Sequence, residues 1–141
     1  MIHSQMEKVV SAVPAAVGTS AVALTIDTLG WDHASVSVLR ASNASTVFAS
    51  VLKIEHSDDN SSYSDLSGFV GGTDFAIPAV SDTSSVSTVK LDVNTQAKKR
   101  YLKVTATPAV SVNTIVSARL SRGENAPATA SEAGCIGWVK G

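Results

Sequence analysis

Hydrophobic and polar residues alternate along several short stretches of this chain, with turn-forming residues between them. In an extended chain successive side chains point to opposite faces, so each stretch predicts a strand with one buried side and one wetted side. Residues 21–29 place Val22, Leu24 and Ile26 inward and end at Gly30. Residues 34–40 set Val36 and Val38 against Ser35 and Ser37, and the A-S-N-A-S that follows reads as a turn. Residues 46–56 turn Phe48, Leu52 and Ile54 inward and Lys53 and Glu55 outward, and residues 86–93 bury Val89, Leu91 and Val93. In K-K-R-Y-L-K-V-T-A-T-P, residues 98–108, three cations precede a ribbon with Leu102, Val104 and Ala106 on one face and Tyr101, Lys103 and Thr105 on the other. Residues 113–121 turn Val116, Ala118 and Leu120 inward.

The remaining segments follow other rules. Residues 57–85 are rich in Ser, Asp and Gly and keep Phe69, Phe75 and Ile77 as isolated apolar anchors, which predicts a long loop with one or two short strands. Near the N-terminus, Ser4 with Glu7 matches a capping box, and Met6, Val9, Val10 and Val13 fall at helical spacing before Pro14. Either a short helix or an extended arm satisfies that pattern. The last residues, C-I-G-W-V, fit a final short strand or an arm. The expectation is therefore an all-β antiparallel sandwich, jelly-roll-like, at residues 19–122, with an N-terminal arm or short helix at 1–18 and a C-terminal tail at 123–141. An immunoglobulin sandwich is second, because its paired cysteines flanking a Trp are missing from the sequence.

Composition supports strands. Only 16% of the 141 residues are charged, against about 25% in a typical domain, while Ser, Thr, Ala and Val dominate. β-Branched side chains keep more freedom on a pleated surface than against a helical turn. The net charge of -1 gives no basic excess for nucleic acid, and Lys98, Lys99 and Arg100 read as a solvated turn. The apolar run 9–26 is broken by Ser11, Pro14, Gly18, Thr19 and Ser20 and lacks a basic leader, so neither a secretory signal nor a membrane helix is expected.

Candidate chemistry is thin. Asp58, Asn60 and Ser62 occupy the first, third and fifth places of an EF-hand-like loop, yet Tyr63 stands where the turn needs Gly and Phe69 where a Glu should close the shell. A polar turn is the expectation there. His3, His33 and His56 are scattered, Cys135 is alone, and no nucleophile elbow, P-loop or dinucleotide fingerprint occurs. No enzyme activity and no cofactor is expected. Asn43 and Asn60 match glycosylation acceptors, which matter only in a secretory pathway. Trp31, Trp138, Tyr63 and Tyr101 are the aromatics a carbohydrate-binding module would use, with at least one Trp expected in the core.

The stretches G-W-D-H-A-S-V-S-V (30–38), K-K-R-Y-L-K-V-T-A-T-P (98–108) and V-S-A-R-L-S-R (116–122) resemble small head proteins of tailed bacteriophages, the cement or decoration class that coats an assembled capsid. The resemblance covers the middle and later parts of the chain. It implies a structural virion protein on the outer surface of the capsid, made in the host cytoplasm, which bridges major capsid subunits. Self-association as a dimer is expected because that is the commonest state of a soluble homo-oligomer, with a trimer at a lattice joint as the alternative. On that reading Met6, Val9, Val10, Val13, Phe69, Phe75 and Trp138 are the expected capsid contacts, being apolar residues in segments without a strand pattern. The alternatives are a carbohydrate-binding sandwich and a tail or fibre component.

Overall fold

A computed structural model describes residues 3–14 and 16–141. Met1, Ile2 and Ala15, all within the expected N-terminal arm, lie outside the described residues. The described residues form one 3-10 turn, His3–Met6, and eight strands: β1 Lys8–Ala12, β2 Val22–Asp27, β3 Trp31–Arg40, β4 Val51–Ser57, β5 Ser64–Val70, β6 Ser87–Asn94, β7 Tyr101–Thr107 and β8 Thr114–Gly123. They pair into two four-stranded sheets, ordered β1-β8-β3-β6 and β2-β7-β4-β5. Every ladder is antiparallel. Successive strands mostly alternate between the sheets, which is the double Greek key of a jelly roll.

The alternation read from the sequence is the alternation that is buried. Ile26, Val36, Val38, Leu52, Ile54, Val93, Leu102, Val104, Val116 and Leu120 are all at or near full burial between the sheets. Each such side chain contributes about 1.5–3 kcal/mol relative to exposure. That sum fixes the register, since a one-residue slip of any strand would turn its apolar set to water. Gly30, at φ 82°, makes the tight return from β2 to β3 that a side chain would strain.

Three segments differ from the sequence expectation. The helical spacing before Pro14 does not produce an α-helix: after the 3-10 turn, residues 8–12 form β1, pairing with β8 from Lys8 opposite Leu120 to Ala12 opposite Val116. Val10 and Ala12 then pack on the core, a gain that a lone short helix could not match. The expected strand at 46–56 begins only at Val51, because the chain must first cross from the sheet of β3 to the sheet of β4. Phe48 is buried all the same and pins that crossing. Within 57–85 the structure places an edge strand, β5, with a register break between its pairings to Lys53 and Glu55. Asp74 Oδ2 accepts the backbone N–H groups of Gly68 and Val70 at 2.9 and 3.1 Å, satisfying donors that the bulged edge leaves over.

Candidate interaction surface

The two end segments of the described chain meet along β1. Thr129 opens a single turn by accepting the Glu132 N–H on its hydroxyl at 3.2 Å, while Glu132 Oε2 accepts the Ala128 N–H at 2.6 Å. Gly134 closes the turn at φ 79°. A helical turn of this kind ends most readily on Gly. The Val9 N–H then donates to the Ala133 carbonyl at 2.8 Å, so the tail covers part of the otherwise open edge of β1. Contact there is close: a Cβ on Gly134 would lie 1.9 Å from the Val9 carbonyl oxygen.

Beyond that lock the tail carries apolar side chains into solvent. Ile136 and Val139 are fully exposed, at 109% and 98%. Trp138 is half-buried, with the Lys140 ammonium 3.8 Å above its ring. Together with Ser4, Glu7, Val9, Arg119 and Cys135 it lines a groove of about 220 Å³ between tail and sheet. Of the seven apolar residues singled out from sequence, Val9 and Trp138 thus meet in one place, and Met6 and Val13 stand exposed. Val10, Phe69 and Phe75 are partly buried and pack against the core. The seam itself escaped the sequence reading, although T-A-S-E with a glycine two residues later is a capping box and stop signal of the kind sought at the N-terminus.

The outer face of the β1-β8-β3-β6 sheet forms a shallow trough of about 830 Å³, with His33, Ser35 and Ser37 on its floor and Lys90, Asp92 and Arg119 beside them. Its charges answer one another. Lys90 reaches Asp92 at 3.2 Å, and Glu7 takes both His3 at 3.3 Å and Arg119 at 3.4 Å. Ser35 Oγ donates to Asp92 at 2.7 Å, and this bond, more than the neighbouring Lys90, holds the Asp92 carboxyl below its ordinary range. A carboxylate so stabilised is a weak base, and the arrangement does not activate Ser35 as a nucleophile.

The other candidate sites resolve into local structure. In the loop after β4, Asp59 is the organising residue: its Oδ1 accepts the Ser57 hydroxyl at 2.7 Å and the N–H groups of Ser61 and Ser62 at 2.9 and 2.8 Å. Those bonds, the Ser57 hydroxyl first, lower its pKa to about 2. The carboxylate at the centre of the EF-hand-like stretch is therefore committed to its own turn. Among the described residues no group of three His, Cys, Asp or Glu side chains converges as a metal site. Trp31 packs against the core, while Lys103 lies 4.4 Å over the Tyr63 ring and Arg100 4.8 Å over Tyr101. Cations occupy the tyrosine faces on which a sugar would stack. Among the described residues no helix is long and apolar enough to cross a membrane.

No family model matches the chain, and no curated protein does. Among solved structures it is similar to a chain of the Bacillus endospore appendages, described as a family of disulfide-linked pili. The match covers 86% of this chain and 95% of that one, at 11% identity and a TM-score of 0.37. A likeness at that level carries no argument about function.

Proposed function

We propose that this chain is a structural subunit that works by association, attaching to the outside of an assembled phage capsid and bridging neighbouring capsid subunits. One observation carries the reading: the tail is locked onto β1 by the Val9–Ala133 bond and the Gly134 contact, yet presents Ile136 and Val139 wholly to solvent. A rigid block with an apolar strip held at its edge suits adhesion, because weak contacts repeated over a lattice sum to high avidity. The three stretches that resemble decoration proteins fall in β3, β7 and β8 with their adjoining turns, so the resemblance concerns the scaffold and leaves the contact residues to be argued from exposure. Anything that binds the assembled shell in preference to free subunits stabilises it by mass action.

The test is removal of residues 136–141, which deletes the exposed strip and keeps the Ala133 and Gly134 lock together with the Cys135 N–H bond to the Ala130 carbonyl that closes its turn. The expected outcome is a folded sandwich with an unchanged unfolding midpoint that no longer sediments with shells. Undiminished attachment would refute the role of the strip. Deleting residues 1–13 is the poorer experiment, since it removes β1 and exposes the edge of β8.

A second reading, a self-associating tail or fibre component, is favoured by the same exposed strip, which a second copy could cover as readily as a capsid. Imaging the particle decides between them. Density over joints of the shell supports decoration, and density along an appendage supports the alternative.

A further inference from the structure

The trough on the outer face of the β1-β8-β3-β6 sheet holds a cation that the pairings across it leave over. Glu7 serves His3 and Arg119, and Asp92 serves Lys90 and Ser35. Arg122 also lines the trough, yet it has no ion-pair partner among the described residues. Three permanent cations, Lys90, Arg119 and Arg122, thus face two carboxylates. The backbone of Arg122 is just as unusual. Thr114, Val116, Ala118 and Leu120 are buried, so a period of two would turn Arg122 inward as well. Instead its φ is 53°, the alternation breaks, and the side chain stands exposed beside Arg119 and Ser121. A left-handed conformation disfavours any residue with a Cβ, and Gly123, which would adopt it freely, is the very next residue. Holding an arginine there costs the fold something, and strain of this kind gathers at binding sites.

We propose that the trough binds an anionic oligosaccharide, a short sugar chain bearing carboxylate or sulfate groups, with Arg122 and Arg119 taking the acid. A planar guanidinium meets two oxygens of either acid group side by side. No aliphatic or aromatic side chain lines the trough, so a neutral sugar has no ring to stack on, and nucleic-acid bases have none either. An acidic peptide fares no better. The floor is made by β3 and β8, which already pair on both sides and leave no backbone groups for an added strand. Besides charge, the trough offers hydroxyls. Ser35 and Ser37 stand about 7 Å apart along β3, and Ser121 lies opposite His33 on β8. Those are partners for a ligand rich in hydroxyls of its own. The volume of about 830 Å³ lies in the range of ligand-sized sites. The site needs nothing from the exposed tail strip, so it stands whatever that strip meets.

Isothermal titration of the whole chain at fixed ionic strength tests the site, with a galacturonate oligomer, a sulfated dextran oligomer, a neutral dextran oligomer and a hexaglutamate peptide as probes. The expected result is saturable binding of at least one acidic sugar, about tenfold or more tighter than the neutral sugar and the peptide. The stronger of the two acidic probes tells carboxylate from sulfate. Arg122→Gly removes the guanidinium and relieves the backbone, so it should unfold at an unchanged or higher midpoint. Its affinity should nevertheless fall about tenfold or more, the scale of a lost hydrogen bond to a charged group. Lys103→Gln takes one charge from the opposite sheet and should bind as the native chain does. Absence of binding by both acidic sugars, equal binding of the peptide, or matched responses of Arg122→Gly and Lys103→Gln overturns the proposal.

Discussion

The two ends of β3 lie at opposite ends of the sandwich, and each has an arginine nearby. At the Trp31 end, Arg100 grips Asp27 through Nε at 2.9 Å and Nη2 at 2.8 Å, half exposed to water. Thr28 Oγ1 donates to the Arg100 carbonyl at 2.5 Å and Thr95 Oγ1 to the Trp31 carbonyl at 2.6 Å. At the other end Arg40 is buried, with one carbonyl for a partner and two nitrogens unpaired among the described residues. The first end spreads its polar needs over several short bonds, with the Arg100–Asp27 pair half exposed and the hydroxyls of the buried Thr28 and Thr95 each given a carbonyl. The second concentrates a full charge where solvent cannot help. An arginine therefore says little about stability until its burial and its partners are known.

The largest expected effect lies at the buried end. Arg40→Ala removes the stem packing and the bond to Ser45 together, and denaturant unfolding should show a loss of about 2–5 kcal/mol. Arg40→Met fills the space without the charge, and it should lie within about 1.5 kcal/mol of the native chain or exceed it. Equal losses in the two variants would mean that the charge, and not the volume, holds this end together.

At the opposite end, Gly123→Ala would set a methyl 2.8 Å from the Trp31 ring, and the overpacking should cost about 1–3 kcal/mol. A neutral result would show that Trp31 can swing away, making that end softer than its bonds imply.

Smaller again is Asp27→Asn, which breaks a pair already screened by water and should cost less than about 1 kcal/mol, vanishing in high salt. The Arg100 hydrogen bond, foremost, lowers the Asp27 pKa below 3.8. Its contribution is present above that value and lost as pH falls through the lower folded one, so native and variant chains should converge in acid. His56 adds a second loss on acidification, at higher pH: burial first, then Lys99 and Lys98, lower its pKa from 6.5. Below pH 6.5 the unfolded chain binds a proton that the folded chain refuses, so stability should fall as pH drops through that window. His56→Gln should flatten the slope, and an unaltered slope would place the titration elsewhere.

Much of the scaffold was legible because a period of two is a strong signal wherever both sheets bury the same alternate positions, as β2, β7 and β8 do. β1 was obscured because Met6, Val9, Val10 and Val13 satisfy a helical period equally well, and only the exposed edge of β8 decides between the two. β5 was hidden by Gly68 and by a register break that spoils alternation. Arg40 was the instructive loss, since a charge at a strand end reads as a solvated terminus, and its inward direction follows only from counting on from Val36 and Val38. The tail seam depends on contacts over more than a hundred residues, for which local spacing gives no clue beyond the turn at Thr129.

The pairing of β1 with β8 has a mechanical corollary. Lys8, at the leading end of one strand, sits opposite Leu120, near the trailing end of the other. Tension applied through the segments flanking these strands therefore peels the ladder open one rung at a time, where pulling from opposite ends would load all the rungs in shear. A subunit wired in this way bears force well through its broad faces and poorly through its chain ends.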